Sequence, residues 1–204
     1  MKIVFATGNK GKLREAAEIL GPGHEVLSPA ELGIDGDVEE TGATLQENSR
    51  IKARFINGAC GIDCFADDTG LEVDSLGGAP GIYSARYAGE GHDSEANMSK
   101  LLSELAKLGP EADRKARFRT VVTLILNGEE HFFEGTLEGR IALSRSGRGG
   151  FGYDPIFIPD AAELEAAGIR AAAGTTLAEL SEEEKNAISH RGKAVRAMAA
   201  FLAR

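Results

Sequence analysis

The sequence has no tryptophan, only two cysteines and a shortage of positive charge: 23 Lys and Arg stand against 32 Asp and Glu, a net charge of -9. That shortage argues against a nucleic-acid-binding module, which needs a basic face. With three Tyr there is also little polar aromatic surface on which bases could stack. Cys60 and Cys64, in CGIDC, have no second Cys or His pair beside them and fall short of a four-ligand zinc site. They read as small residues packed near a strand start. No apolar run approaches the ~20 residues of a membrane span. The opening MKIVFATGNK lacks the apolar region and cleavage site of a signal peptide, so the expectation is a cytoplasmic protein that binds neither membrane nor nucleic acid.

What the chain does have is material for a core. Of 204 residues, 42% are hydrophobic and 27% charged, which suits one domain over 1–204 or two lobes sharing a sheet. Residues 2–6 read as a buried strand. Leu13, Ala16, Ala17 and Leu20 then fall at helical spacing over 11–20, and GPG stops that helix. Residues 44–57 read as a second helix with Leu45, Ile51 and Phe55 inward, and 64–66 as a short strand ending at Asp67-Asp68. A Gly/Pro-rich loop precedes a helix near 94–108 carrying Leu101, Leu102, Leu105 and Leu108. Asn127-Gly128 joins strands 116–126 and 130–138 as a hairpin. A further strand is expected near 139–143, then a glycine-rich loop and a short strand. Residues 160–174 read as a helical excursion or a mobile segment. Ser181 and Glu184 form a capping box, and Ser189 opens a last helix with Val195, Met198, Ala199 and Leu202 on one face. The alternation followed by a hairpin predicts an α/β fold with a mixed sheet.

The stretch IVFATGNKGK raises the question of a phosphate loop. It fails the Walker pattern, because Gly11-Lys12 is followed by Leu13 and position 6 is Ala. It fails the dinucleotide fingerprint at the same alanine. The physics of a strand delivering Thr7 to a helix start remains. Free backbone N–H groups, the helix dipole, Lys10 and Lys12 favour an anion, with Thr7 and Asn9 as neutral donors. Three other stretches carry chemistry. Glu39-Glu40-Thr41-Gly42 precedes a helix in which Asn48 and Lys52, four apart, share a face. Asp67-Asp68-Thr69-Gly70 places two carboxylates together which, with Glu40, could hold Mg²⁺ alongside substrate phosphates; the alternative is a plain turn. Lys185 to Arg191 crowds cations around a helix start. The dipole disfavours cations there, which invites an anionic or hydrogen-bonding ligand.

Taken together, ATGNKGK, EETGATLQENSRIKA, ADDTGLEVDSLGGAPGIYSARYAG, GGFGYDPIF and AELSEEEKNAISHRGKA resemble the inosine triphosphate pyrophosphatase family, in the family's order and over nearly the whole chain. The resemblance implies a long mixed sheet with flanking helices and two lobes around a substrate cleft. It also implies a homodimer, and Mg²⁺-dependent hydrolysis of ITP, dITP and XTP to monophosphate and pyrophosphate. It implies that Thr7, Gly8, Asn9, Lys10, Gly11 and Lys12 cradle the triphosphate, with Asn48, Lys52 and Thr69 as further substrate contacts. Glu40 and Asp68 would serve the metal, Asp67 being a possible third ligand, and Asp68 would be the general base. Phe151, Gly152, Tyr153 and Asp154, completed by Lys185, His190 and Arg191, would form the base pocket. The sequence departs from the family pattern in the longer stretch before AELSEEEK and in GTTLAEL, where a lysine commonly precedes the Thr.

The residues suit such chemistry. Phosphoanhydride hydrolysis needs charge neutralisation, which Lys12, Lys52 and Mg²⁺ supply, and a carboxylate to orient or deprotonate water. A metal would lower the Asp68 pKa and Asp67 would raise it. A donor such as Arg191 or a backbone N–H would reward a 6-oxo purine over adenine; Phe151 would stack on the base or else sit in the core. The rival readings are a nucleotide sensor without turnover, which would need no metal carboxylates, and a pyrophosphatase of other nucleotides.

Overall fold

A computed structural model describes residues 1–35 and 38–204. In chain order these form β1 (Lys2–Phe5), α1 (Lys10–Leu20), β2 (Glu25–Leu27), α2 (Leu45–Cys60), β3 (Cys64–Val73), β4 (Pro80–Gly81) and α3 (Ser94–Lys107). Then follow β5 (Lys115–Leu126), β6 (Glu129–Ile141), β7 (Phe157–Pro159), α4 (Ala161–Ala166), α5 (Glu182–Ile188) and α6 (His190–Leu202). The sheet is mixed, in the order β2-β1-β3-β5-β6-β7, with β4 pairing β3. β1 pairs β2 and β3 in parallel; β3–β4 and β6–β7 are antiparallel. The mixed α/β expectation is met.

The chain divides into two compact units. The first comprises Met1–Asp68, Thr120–Gly135 and Arg191–Arg204; the second comprises Thr69–Arg119 and Thr136–His190. Strands β3, β5 and β6 each give one stretch to either unit. In the first unit the period-two alternation of a strand sorts side chains into two cores. Ile3, Phe5, Phe65, Val122 and Leu124 join Ala16 and Leu20 of α1 and Val195 and Met198 of α6. Val4, Cys64, Ala66 and Ile125 join Ala53 and Ile56 of α2 on the other side. With both faces covered, these strands read as near-continuous apolar runs. The second unit has its own core, centred on Leu71, Leu101, Leu105, Leu137, Ile141, Ile156 and Phe157.

Several sequence expectations change. β3 does not stop at Asp67-Asp68 but runs on to Val73. Gly70 permits this close pairing, because a Cβ there would lie 2.5 Å from the Gly81 carbonyl oxygen. The strand expected near 139–143 is the end of β6, not a separate element. Ala17, Phe55 and Leu108 are exposed rather than inward; Ala53 and Ile56 hold the buried face of α2 instead. The hairpin forms as expected, with φ of 51° at Asn127 and 83° at Gly128, the positive pair that a tight primed turn requires. The Ser181–Glu184 capping box is present, and 160–174 carries only the short α4. Cys60 and Cys64 are free thiols. Cys64 is buried, its Sγ–H donating to the Ala53 carbonyl, and burial, with Cys60 nearby, pushes its thiol up to about 12. No described helix is long and apolar enough to cross a membrane.

Candidate active site

The first unit builds a charged pocket from four elements. Alternation along β3 sends its adjacent carboxylates to opposite faces. Asp67 follows the parity of Phe65 and meets α1 and α6; Asp68 follows that of Ala66 and meets α2. Asp67 is 3% exposed. Its Oδ1 and Oδ2 accept from Lys12 Nζ at 3.0 and 2.9 Å, and Oδ2 also accepts from Arg191 Nε at 2.9 Å. Arg191 Nη1 lies 3.4 Å from Glu15 Oε2. Burial works to raise the Asp67 pKa, but Lys12, Arg191 and Lys52 outweigh it and hold the carboxyl well below the usual range.

Asp68 behaves in the opposite way. Its Oδ1 accepts from Lys52 Nζ at 3.0 Å, and the same ammonium lies 2.7 Å from Glu40 Oε1. Burial raises the Asp68 pKa and Glu40 and Asp67 add to that, against the pull of Lys52. The Lys52 pKa is raised too: burial lowers it, but Asp68, Asp67 and Glu40 outweigh that effect. Two carboxylates with opposite shifts, one fixed as an anion and one inclined to take a proton, are what an acid–base site needs.

A pocket of about 470 Å³ opens on this array. Thr7, Gly8, Lys12, Asp35, Glu40, Lys52 and Asp67 form its polar wall, and Pro29, Ile34, Val38, Phe55 and Ile56 are among its apolar lining. The apolar wall escaped the sequence reading because 29–38 carries no chemical motif and Phe55 passed for a core residue. Glu15 was missed as well, although it stands three residues from Lys12 on α1, a spacing that puts the two on one face.

The α1 start departs from expectation. Asn9 caps the helix itself: its Oδ1 accepts from the backbone N–H of Gly11 at 2.9 Å and of Lys12 at 3.1 Å, and Thr7 Oγ1 accepts from Asn9 N–H at 3.2 Å. Those N–H groups are therefore not open to an anion as expected, and the Lys12 ammonium is turned to Asp67. Lys10 is exposed. Asn48 is fully buried and cannot touch a substrate.

The metal expectation narrows. No group of three His, Cys, Asp or Glu able to hold a metal exists among the described residues. Asp67 accepts from Lys12 on both oxygens and from Arg191 on Oδ2, so it is turned to cations of the protein rather than to the point that Glu40 and Asp68 share. Glu40 and Asp68 converge on one ammonium, and so on one point where a cation already fits. Two carboxylates suit Mg²⁺, which takes its remaining oxygens from water and phosphates.

In the second unit, Phe151 is 87% exposed, so it is not a core residue. Its N–H donates to Asp154 Oδ2 at 3.0 Å, and Lys185 Nζ lies 3.5 Å from the same oxygen. Burial raises the Asp154 pKa against the Phe151 N–H and Lys185. Gly152 turns at φ 63°. Tyr153 is buried and its hydroxyl donates to the Ser84 carbonyl at 2.7 Å, so its ring is not available to a base. His190 stacks on Phe118, with centroids 5.1 Å apart. Thr69 is half-buried. The cations at the α6 start are thus answered partly by the protein itself, through Asp67 and Glu15.

Residues 3–201 match the Ham1 family. This chain belongs to the Ham1 family. Among similar proteins, a "dITP/XTP pyrophosphatase" of Christiangramia forsetii is 47% identical over 204 residues, all of both chains. One of Bacillus subtilis is 45% identical, over 98% of this chain and 96% of its own. The solved Ham1 protein of Staphylococcus aureus superposes with a TM-score of 0.86 at 42% identity, covering 100% of this chain and 98% of its own. A HAM1 protein from Coxiella burnetii gives 0.87 at 37%, with the same coverage. With similarity along its full length, the Ham1 chain shares the fold of these structures.

Proposed function

We infer that this protein is a nucleoside-triphosphate pyrophosphatase that hydrolyses deaminated purine nucleotides, ITP, dITP and XTP, to the monophosphate and pyrophosphate, removing them from the nucleotide pool. The observation that carries the reading is the first unit's pocket, whose lining brings Lys12, held by Asp67, together with Glu40 and Lys52, the ammonium of Lys52 being held in turn by Asp68. Support comes from the names of the relatives, which match along the whole chain.

In this reading Thr7, Gly8 and the Lys12 and Lys52 ammonium groups bind the triphosphate, with the Lys12 ammonium held by Asp67. Asp68 accepts the proton of the attacking water at a carboxylate oxygen as the water oxygen bonds to phosphorus and the oxygen bridging the α- and β-phosphorus atoms leaves with the other product. Glu40 and Asp68 would hold Mg²⁺ with the substrate's phosphate oxygens, and the ion would supply positive charge against that developing on the phosphates. Thr69 is assigned to substrate as well. For the base, Phe151 offers an exposed ring and Lys185 a donor steadied by Asp154; roles in base recognition are also assigned to Gly152, His190 and Arg191. A donor facing the 6-oxo group meets another donor in adenine, and an unpaired buried group costs about 1–3 kcal/mol. We extend the proposal to a cytoplasmic homodimer in which the whole chain works as one pyrophosphatase domain, binding no nucleic acid or membrane.

The test is pyrophosphate release from ITP, dITP, XTP, ATP and GTP with Mg²⁺ and with EDTA. Metal-dependent release confined to the first three is expected. Equal rates on ATP and GTP would sink the base selectivity; tight ITP binding without release would favour a sensor.

A further inference from the structure

Glu40 lies in a stretch without helix or strand, yet its carboxylate meets Lys52 Nζ at 2.7 Å. The backbone that follows it is tied to α2 at two points. Gly42 N–H donates to Asn48 Oδ1 at 2.8 Å, and Ala43 N–H to Glu47 Oε2 at 2.6 Å. Glu47 is exposed, so water can replace its bond; Asn48 is 0% exposed, so nothing replaces it. The approach is close. A Cβ on Gly42 would lie 2.6 Å from Asn48 Oδ1 and 2.6 Å from Glu47 Cβ, distances that real side chains do not adopt. Asn48 Nδ2 is buried and has no hydrogen-bond partner among the described residues. An unpaired buried amide is costly, so packing does not account for an asparagine where an apolar side chain of similar size would fill the space. Asn48 also stands one turn before Lys52 on α2, so one helix face carries both the ammonium and the tie to the Glu40 segment.

We propose that Asn48 and Gly42 form a clamp that positions Glu40: the buried amide oxygen fixes the 39–43 backbone against α2 and so keeps the Glu40 carboxylate on Lys52 beside Asp68. Asn48 is a positioning residue and touches no substrate. The catalytic consequence rests on the pyrophosphatase reading; the clamp itself does not.

The test uses the full chain with Asn48→Ala and Gly42→Ala, reading steady-state ITP hydrolysis and hydrogen exchange at the Gly42 amide. Asn48→Ala should speed Gly42 exchange and lower kcat about 10- to 100-fold, with the ITP KM changed less than about threefold. Gly42→Ala, which leaves Asn48 intact but gives residue 42 a Cβ too close to Asn48 Oδ1 and Glu47 Cβ, should reproduce the loss. Folded Asn48→Ala with wild-type kcat and faster Gly42 exchange overturns the proposal. So does a rise in KM alone, which would mark a substrate contact. If Asn48→Ala does not fold, Gly42→Ala decides: wild-type kcat there overturns the clamp, and a lowered kcat at unchanged KM supports it. If the wild type releases no pyrophosphate, the functional reading falls. The clamp then stands only if wild-type Gly42 exchange is slow and Asn48→Ala or Gly42→Ala speeds it.

Discussion

Asp67→Asn removes one charge and almost no volume, and so isolates what a buried anion between two cations contributes. Asp67 is 3% exposed and accepts from Lys12 at 2.9 Å and Arg191 at 2.9 Å. Removing one partner of a buried ion pair costs about 3–5 kcal/mol, chiefly because the other charge stays behind unpaired. Here the side chains of Lys12 and Arg191 keep 26% and 21% exposure, and Arg191 retains Glu15 at 3.4 Å. The lower end, about 3 kcal/mol, is therefore expected. In a chain of this length that lowers Tm by about 6–12 °C. The pH dependence fixes the cause. The folded pKa of Asp67 lies below its unfolded value, so its contribution is fully present above about pH 4 and is lost as pH falls from there through the folded pKa. Thermal unfolding of wild type and Asp67→Asn at neutral pH, and in steps into acid, tests both points. A Tm difference under about 2 °C at neutral pH, or one that does not narrow in acid, would refute the reasoning.

Asp68→Asn should lower kcat by about 10²–10⁴-fold, the usual worth of a general base, without loss of Tm. The stability sign follows from a raised folded pKa, which makes the ionised carboxylate a burden above its ordinary pKa, so its removal does not destabilise. Turnover near wild type would end its assignment as base. Phe151→Ala should raise the ITP KM by up to about tenfold, from lost stacking, and leave Tm unchanged because the ring is 87% exposed. An unchanged KM removes Phe151 from the base site.

Much of the architecture was legible in the chain because local physics wrote it there. The apolar run before Thr7, the helical spacing of Leu13, Ala16 and Leu20, Asn127-Gly128 and the Ser181–Glu184 box each state a local preference, and each element formed. The candidate residues Lys12, Glu40, Lys52, Asp67 and Asp68 were legible as chemistry, from a lysine-bearing turn between strand and helix, a Glu-Glu-Thr-Gly stretch before a helix that carries Lys52, and adjacent carboxylates after a short apolar strand. Their partnership was not. Asp67-Asp68 read as a pair at a strand end because, in sequence, a charged dipeptide followed by Thr-Gly is a turn. Only the fold supplies the neutralising cations, from α1, α2 and α6, that let β3 continue through it. Continuation then splits the pair by strand parity into an organiser of cations and a proton acceptor. In the same way sequence could name Asn9, Asn48 and Arg191 as polar groups near a site, but not their partners. A hydrogen bond spends a donor's or acceptor's capacity on whichever group lies nearest in space, and between Asp67 and Arg191 that nearness is set across 124 positions of chain.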